Sequence, residues 1–148
     1  MKIGQLFNVS GKVAVVTGGS RGIGEMISAG FLANGVKVYI TARKEEPLVK
    51  KAEELSNKYN GACIPIACDL SSSLGIDYFV KMIHEKEKAI DFLINNAGAA
   101  WGEPYDEFSE VGWDKVMDLN VKSLFFLTQK LTEMLKFRAS SDDPSRII

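Results

Sequence analysis

The run from Thr17 to Gly24 contains the residues of this sequence best suited to bind a phosphate group. Its glycines Gly18, Gly22 and Gly24 follow the spacing TGxxxGxG, and a run of β-branched residues precedes it. Small residues at these positions permit a tight turn, a close approach of the backbone to a pyrophosphate, and close packing of the next helix on its strand. The first N–H groups of that helix have no partner within it and lie at the positive end of its dipole, so they attract phosphate.

The position of this turn argues against two other interpretations of a glycine-rich segment. An ordinary flexible loop is disfavoured because the turn lies between an apolar strand and an amphipathic helix. A nucleoside-triphosphate P-loop is excluded because no Lys-Ser or Lys-Thr pair follows the last glycine. The turn therefore predicts a dinucleotide site, and these are its expected contact residues: Gly18, Ser20, Arg21, Gly22, Ile23 and Gly24.

The end of the second predicted strand indicates which dinucleotide is bound. A carboxylate at this place would bind the ribose 2′-hydroxyl of NAD, but the strand ends with Thr41-Ala42-Arg43-Lys44. The Arg43 guanidinium can hold a 2′-phosphate through two hydrogen bonds, and Arg21 can reach the same phosphate from the other side. NADP(H) is therefore the predicted cofactor. The alternative is that both arginines are solvated surface charges, which is the role we expect for Lys44.

Two more polar clusters follow predicted strands, Asp69-Leu70 after the third and Asn95-Asn96-Ala97-Gly98 after the fourth. A TGxxxGxG turn followed by NNAG at these strand ends resembles the short-chain dehydrogenase/reductase family, over essentially the whole chain. The resemblance implies that Asp69 contacts the adenine amino group, that Leu70 contributes backbone, and that the last three residues of NNAG lie near the nicotinamide-side ribose. Asp69 has the alternative role of capping the next helix, and the NNAG amides can lock neighbouring strand ends together.

Asn120, in Asp118-Leu119-Asn120-Val121, is the candidate catalytic residue. The family pattern places an asparagine in this helix, where its side chain or a local kink holds a water of the proton relay behind the catalytic lysine. The alternative is an asparagine that bonds its own helix backbone. Trp101, just beyond NNAG, either contacts substrate or covers an apolar rim. We expect Trp113 in the core, and His84, the only histidine, at a solvated helix end without a catalytic role.

The elements that must position these residues alternate as short β-branched runs and longer amphipathic stretches. We predict strands at 13–17, 36–41, 62–68 and 90–95, and a fifth that begins at 146. Helices are predicted at 22–34, at 47–60, around 76–83, and as two stretches within 109–138 that meet near Asn120. In the first of them, apolar residues including Ile23 and Met26 recur at helical spacing. Such alternation predicts right-handed βαβ units in a parallel sheet. Ligands then lie at the carboxyl ends of the strands, near the point where strand order reverses. We therefore expect an α/β fold, a doubly wound parallel sheet of Rossmann type, in one domain over residues 1–148.

The residues that complete the family's reaction are not found in this sequence. That reaction requires a tyrosine, a lysine four residues later and a serine upstream, but the residues four positions after the tyrosines are Arg43, Cys63, Met82 and Ser109. We therefore expect a fragment that ends after the start of the fifth strand and is inactive alone, because general acid–base catalysis typically contributes about 10²–10⁴-fold. In such a fragment the fourth strand should be a bare sheet edge, and the helical stretch 121–135 should lack much of its apolar cover.

Composition excludes several other classes of protein. The chain has 148 residues, 46% hydrophobic and 25% charged, with a net charge of −1, so no broad field attracts nucleic acid or an acidic membrane. No stretch approaches the roughly 20 apolar residues of a membrane span, and residues 1–12 lack the apolar core of a leader. Histidine and cysteine are too scattered for a metal site. Cys63 and Cys68 should point to opposite faces of one strand, so we expect no disulfide, a reducing compartment and a cytoplasmic location.

Further residues narrow the resemblance within the family. Ala-Trp-Gly after NNAG, Gly-Trp-Asp-Lys-Val-Met before Asn120 and Arg-Ala-Ser near position 139 are similar to bacterial 3-oxoacyl reductases linked to rhamnolipid synthesis. That similarity implies NADPH-dependent reduction of a ketone, such as a 3-oxoacyl thioester, to a secondary alcohol. It also implies a full-length homo-oligomer, a tetramer built partly on the helix after Asn120. The alternatives are a catalytically inactive NADP-binding or interaction module, and a structural protein that has lost cofactor binding, against which Arg43 and the intact glycine turn argue.

Overall fold

A computed structural model describes residues 7–148; residues 1–6, part of the segment considered above for a leader, lie outside the described residues. Five parallel strands form one sheet in the order β3-β2-β1-β4-β5. The strands are β1 Val13–Thr17, β2 Lys37–Ala42, β3 Cys63–Ala67, β4 Phe92–Ile94 and β5 Arg146–Ile147. The helices are α1 Gly22–Ala33, α2 Glu45–Tyr59, α3 Ser73–His84, α4 Glu110–Met117 and α5 Ser123–Lys136, with a 3-10 turn at Tyr105–Glu107 and a π-helical turn at Asp118–Lys122. The predicted Rossmann-type sheet is confirmed, and each strand lies within a residue or two of its expected position.

β1 is buried on both of its faces because helices cover both sides of the sheet. On one side α1 and α2 pack through Leu32 and Leu48, and on the other side α3 and α5 pack through Phe79 and Leu131. Alternate residues of β1 enter these two cores, which explains why the strand is apolar up to its last residue. Strand order reverses between β1 and β4, so a crevice opens at their carboxyl ends.

α1 packs on the sheet through small residues. Gly24 and Ser28 are buried together with Leu32, whereas Ile23 is 71% exposed and Met26 is 72% exposed. The predicted helix is confirmed, but two of the apolar residues whose spacing predicted it, Ile23 and Met26, lie on its exposed side. The helix starts too close to the glycine turn to accommodate larger side chains there, as the geometry of Gly24 shows below.

The fourth strand is not the edge of the sheet, so the expectation of a bare edge there is wrong. Arg146 donates its backbone N–H to the Asp91 carbonyl at 2.8 Å, and Ile148 donates to Leu93 at 2.9 Å. Asn95 in turn donates to the Ile148 carbonyl at 2.7 Å. Three residues of β5 and its flank are enough to pair with β4 because β4 itself is only three residues long.

The outer face of α5 is uncovered, as expected for the stretch 121–135. Leu124, Phe125 and Phe126 are 42%, 59% and 39% exposed, although Leu127 and Leu131 on the opposite face are fully buried. The expectation that Trp113 lies in the core is wrong, since its side chain is 59% exposed on α4. Gly112 is the buried residue of α4, so this helix adds no large side chain to the core.

The remaining sequence expectations concern single residues. Cys63 and Cys68 are free and pack into opposite cores, as their spacing predicts. His84 is exposed at the last residue of α3.

Between residues 7 and 148, no helix combines the length and the apolar composition that crossing a membrane requires. Within the same range, no three His, Cys, Asp or Glu side chains are grouped so that they could hold a metal ion.

Candidate functional site

A cleft of about 840 Å³ lies at the carboxyl ends of the strands, where strand order reverses. Its walls come from the glycine turn, the ends of β2 and β3, the NNAG segment and the π-helical turn. All twelve residues predicted to contact a cofactor line this cleft: Gly18, Ser20, Arg21, Gly22, Ile23, Gly24, Arg43, Asp69, Leu70, Asn96, Ala97 and Gly98. Four segments that are separated in sequence thus meet at one place, although their contact with a cofactor stays a prediction.

The glycine turn is shaped by backbone conformations and contacts that exclude larger side chains. Gly18 and Gly22 have φ angles of +65° and +56°, a region that favours glycine. A Cβ on Gly24 would lie 2.3 Å from the Gly18 carbonyl oxygen. Arg21, at the capping position of α1, makes no capping hydrogen bond, whereas serines cap α3 and α4. The first N–H groups of α1 therefore remain available to a ligand in the cleft.

The NNAG segment holds the glycine turn in place. The Asn96 amide donates to the Thr17 carbonyl at 2.9 Å and to the Gly18 carbonyl at 3.3 Å. The Ala97 N–H donates to the Thr17 hydroxyl at 2.9 Å, and that hydroxyl donates to the Ile94 carbonyl at 3.2 Å. The prediction that NNAG locks neighbouring strand ends together is confirmed. Sequence reasoning missed the part played by Thr17, although it is the first residue of the TGxxxGxG motif.

The two arginines predicted to hold a phosphate both lie at the cleft. Arg21 and Arg43 are both exposed, and both line the cleft. Within residues 7–148 neither guanidinium forms an ion pair with a carboxylate. Two cations without protein partners at the end of β2 and in the glycine turn can bind an anion at low cost, because no existing ion pair must be broken.

Asp69 stabilises the turn after β3 and does not cap α3. One of its carboxylate oxygens accepts from the Ser71 N–H at 3.0 Å and from the Ser71 hydroxyl at 2.7 Å. The cap is Ser72, whose hydroxyl accepts from the Gly75 N–H at 3.1 Å, so the capping alternative for Asp69 is wrong. Leu70 buries its side chain in the core and leaves only its backbone for the cleft, as the family resemblance implies.

Asn120 lies within the π-helical turn and bonds a distant loop. Its side-chain oxygen accepts from the Ala99 N–H at 2.8 Å, and its side-chain nitrogen donates to the Ala99 carbonyl at 2.9 Å. The alternative in which Asn120 bonds its own helix backbone is wrong. A π-helical turn frequently marks a functional site in a helix, and here it places the amide against the residue that follows NNAG. The proposed water of a proton relay stays a prediction.

We expect Asn120→Ala to lower the free energy of unfolding by about 1–2 kcal/mol, because it removes two hydrogen bonds worth about 0.5–1.5 kcal/mol each. Urea unfolding followed by circular dichroism measures this change. Asn57→Ala is the matched control, since Asn57 is exposed on α2 and the same substitution there favours the helix slightly. Equal stability of the two variants would show that the bonds to Ala99 contribute nothing.

Trp101 packs on α4 and does not line the cleft. A Cβ on Gly112 would lie 2.3 Å from Cδ1 of Trp101, and the Lys115 ammonium lies 4.2 Å from the centre of the Trp101 ring. The Glu103 carboxylate accepts a hydrogen bond from the Ser109 N–H at 2.7 Å. This bond is the main cause of a lowered pKa of Glu103, and a hydrogen bond from the Trp101 side chain is the second cause. Of the two roles considered for Trp101, the structure supports cover of a rim. Lys115, which sequence reasoning missed, lines the cleft.

Among the described residues, no tyrosine and no activated thiol lines the cleft. Cys68 lines it, but burial raises the pKa of this thiol, and its sulfur lies 3.0 Å from the Thr41 hydroxyl. The thiol therefore stays protonated and is a poor nucleophile. None of the four tyrosines of the chain lines the cleft. Tyr39, for example, is buried in the core and donates its hydroxyl to Glu87 at 2.7 Å.

The sequence of this chain matches a known protein family and characterised relatives. The family model described as short chain dehydrogenase matches residues 12–148. The chain is 42% identical over 142 residues to the rhamnolipids biosynthesis 3-oxoacyl-[acyl-carrier-protein] reductase of Pseudomonas aeruginosa. That match covers 96% of this chain and 55% of the reductase, so the chain spans about half the length of the curated relative.

Solved structures agree with the sequence comparison. The RhlG/NADP active-site complex of Pseudomonas aeruginosa superimposes with a TM-score of 0.90 at 42% identity, over 96% of this chain and 55% of that one. L-sorbose reductase of Gluconobacter frateurii, in complex with NADPH and L-sorbose, has a TM-score of 0.86 at 31% identity. That match covers 89% of this chain and 50% of the sorbose reductase.

Proposed function

Since the chain belongs to the short-chain dehydrogenase family, we propose that its cleft binds NADP(H) as the cofactor-binding part of a ketone reductase. The observation that carries this proposal is the convergence of the uncapped helix α1 with Arg21 and Arg43 in one cleft. NADPH, when bound, supplies a hydride to a carbonyl carbon. The residues of this chain would bind and orient the cofactor for that transfer.

The shape of the glycine turn fits a pyrophosphate. No atom lies within 4 Å of the place where a Cβ on Gly22 would stand, and the residue lines the cleft. The space beside Gly22 is therefore open on the cleft side, where a phosphate could approach the backbone, whereas the space beside Gly24 is filled by the Gly18 carbonyl. A phosphate beside Gly22 would meet the free N–H groups and the positive dipole end of α1.

The charges of the cleft fit a 2′-phosphate better than a 2′-hydroxyl. Arg43 and Arg21 would hold the phosphate from two sides, and no carboxylate stands at the end of β2 to bind the hydroxyl of NAD. Asp69 and the Leu70 backbone would lie at the adenine end, and residues 96–98 at the nicotinamide end. Both solved relatives described above were crystallised with NADP or NADPH, which supports the same choice.

Asn120 would act as a positioning residue. Its amide is engaged with Ala99 through both of its ends. We propose that a backbone carbonyl of the π-helical turn, rather than the Asn120 side chain, holds the water of the proton relay.

We propose that these 148 residues bind the cofactor but do not reduce a ketone by themselves. They contain no Tyr-x-x-x-Lys, and none of their tyrosines lines the cleft. This observation also favours the second candidate function, a catalytically inactive NADP-binding module. The substrate of the complete enzyme would be a 3-oxoacyl thioester, by likeness to the Pseudomonas reductase. The exposed phenylalanines of α5 would pack against another copy in a homo-oligomer.

Titration of the chain with NADPH and with NADH, followed by cofactor fluorescence, tests the proposal. We expect NADPH to bind at least about tenfold more tightly, because hydrogen bonds to a charged group are worth about 1.5–3 kcal/mol and 1.4 kcal/mol is tenfold. Equal affinities for NADPH and NADH would show that Arg21 and Arg43 do not bind the 2′-phosphate. If neither cofactor binds at millimolar concentration, the proposal is wrong. Oxidation of NADPH by the chain with acetoacetyl-CoA would contradict the expected inactivity.

A further inference from the structure

Lys115 brings a third positive charge to the cleft, from a different side than the two arginines. Arg21 and Arg43 adjoin α1 and α2, which pack on one face of the sheet. Lys115 lies on α4, which continues through the π-helical turn into α5 on the other face. Lys115 thus lines the cleft beside the loop that follows NNAG.

The ammonium of the exposed Lys115 side chain contacts one aromatic ring, and that ring is itself fixed by the protein. The ammonium lies 4.2 Å from the centre of the Trp101 ring, a distance at which a cation is attracted to the face of an indole. The ring is fixed in turn against Gly112, where a Cβ would lie 2.3 Å from Cδ1 and 2.5 Å from Nε1 of Trp101. Glu103 ties the same loop to the start of α4 through the Ser109 N–H at 2.7 Å. A lysine held in this way loses little further side-chain entropy when it binds an anion.

Among the described residues, no carboxylate pairs with Lys115 at this wall of the cleft. In the part of the chain that the structure describes, Lys115 forms no ion pair. Asp118, one turn further on, also lines the cleft, but its carboxylate is paired with Lys122 at 3.1 Å. Asp69 is engaged with Ser71 on the β3 side. The ammonium is therefore free to meet an anion that enters the cleft.

We propose that Lys115, held over Trp101, recognises an anionic group, a phosphate or a carboxylate, on the second ligand of the cleft, the substrate. The inference rests on the proposed function, because it assigns the 2′-phosphate of the cofactor to Arg21 and Arg43. A substrate with such a group would be preferred over an uncharged analogue.

Inorganic phosphate is a suitable probe because the Trp101 ring reports on the charge above it. The parent protein is Trp113→Phe, in which Trp101 is the only tryptophan; Trp113 is 59% exposed, so its replacement disturbs little. Phosphate is titrated into this protein saturated with NADP⁺, at constant ionic strength, while tryptophan emission is recorded. We expect tryptophan emission to change until phosphate saturates the site. Adding Lys115→Met should raise the phosphate concentration at the midpoint at least about tenfold, because the variant loses one hydrogen bond to a charged group.

Three further measurements make the result specific. Lys115→Arg should stay close to the parent midpoint, and so should Lys58→Met, which removes an exposed cation that lies over another aromatic ring, that of Tyr59, outside the cleft. Urea unfolding checks that Lys115→Met is as stable as its parent, and Lys115→Gln serves in its place if it is not. An unchanged midpoint in the variant that folds would overturn the proposal. A tenfold loss of NADP⁺ affinity in Lys115→Met would show that Lys115 binds the phosphates of the cofactor instead of the substrate. This result would also overturn the proposal. If the parent binds no NADP⁺, the proposed function fails, and phosphate titration without cofactor still measures the role of Lys115.

Discussion

Arg43→Glu is expected to weaken NADPH binding by about 100-fold and to leave NADH binding within about threefold of the parent. The substitution removes hydrogen bonds to a charged group, worth about 1.5–3 kcal/mol, and it places a carboxylate against the 2′-phosphate. Arg43 lines the cleft and has no ion-pair partner within residues 7–148, so the substitution breaks no ion pair of the protein. Dissociation constants for both cofactors, from fluorescence titration, measure the effect.

Lys44→Glu provides the matched control for Arg43→Glu. Lys44 is the next residue, it is exposed, and the substitution changes the net charge by the same amount. It does not line the cleft, so we expect less than about a threefold change for either cofactor, the range of a screened surface charge. Equal losses in the two variants would mean that only the general field of the protein matters. An unchanged ratio of NADPH to NADH affinity in Arg43→Glu would refute the role given to Arg43.

Gly24→Ala is expected to lower the free energy of unfolding by about 2–3 kcal/mol, the upper part of the range for overpacking, and to abolish measurable NADPH binding. The new Cβ would lie 2.3 Å from the Gly18 carbonyl oxygen and 2.5 Å from the Asn96 side-chain nitrogen. Both neighbours hold the glycine turn in place, so the helix and the turn must move apart. Urea unfolding and NADPH titration measure the two effects separately.

Gly30→Ala distinguishes this packing effect from the ordinary preference of a helix for alanine. Gly30 lies in the same helix, and nothing stands within 4 Å of its Cβ position. We expect this variant to be up to about 1 kcal/mol more stable than the parent, since alanine favours a helix over glycine by that amount. A Gly24→Ala protein with the stability and the NADPH affinity of the parent would show that the close contact with Gly18 is not required.

The positions of the strands and of the glycine turn follow from local patterns in the sequence. β1 is apolar at every position until Thr17 because helices cover both sides of the sheet, and such a run is visible without any knowledge of its partners. The glycine turn and NNAG come directly after strands, and parallel strands bring their carboxyl ends to one edge of the sheet. For this reason all twelve predicted contact residues line one cleft.

Patterns within one element were less informative about which side of that element is packed. Ile23 and Met26 have the spacing of a buried face, but α1 lies so close to the glycine turn that Gly24 and Ser28 are buried instead. Trp113 is large and apolar, yet it is exposed, because α4 turns the face with Gly112 inward. The apolar pattern of a helix indicates which residues favour burial. The distance between the helix and the neighbouring element decides which of these side chains fit between them.

The sequence by itself determined the order of strands and helices, the position of the glycine turn and the predicted choice of cofactor, because each depends on residues that are close together in the chain. Only the tertiary structure decided how distant segments pair. It showed that β5 covers β4, that Asn120 bonds Ala99, and that Lys115 is held over Trp101. These contacts join residues that no local periodicity relates. Their geometry depends on where the packed helices place each side chain, and for that reason it could not be read from the sequence.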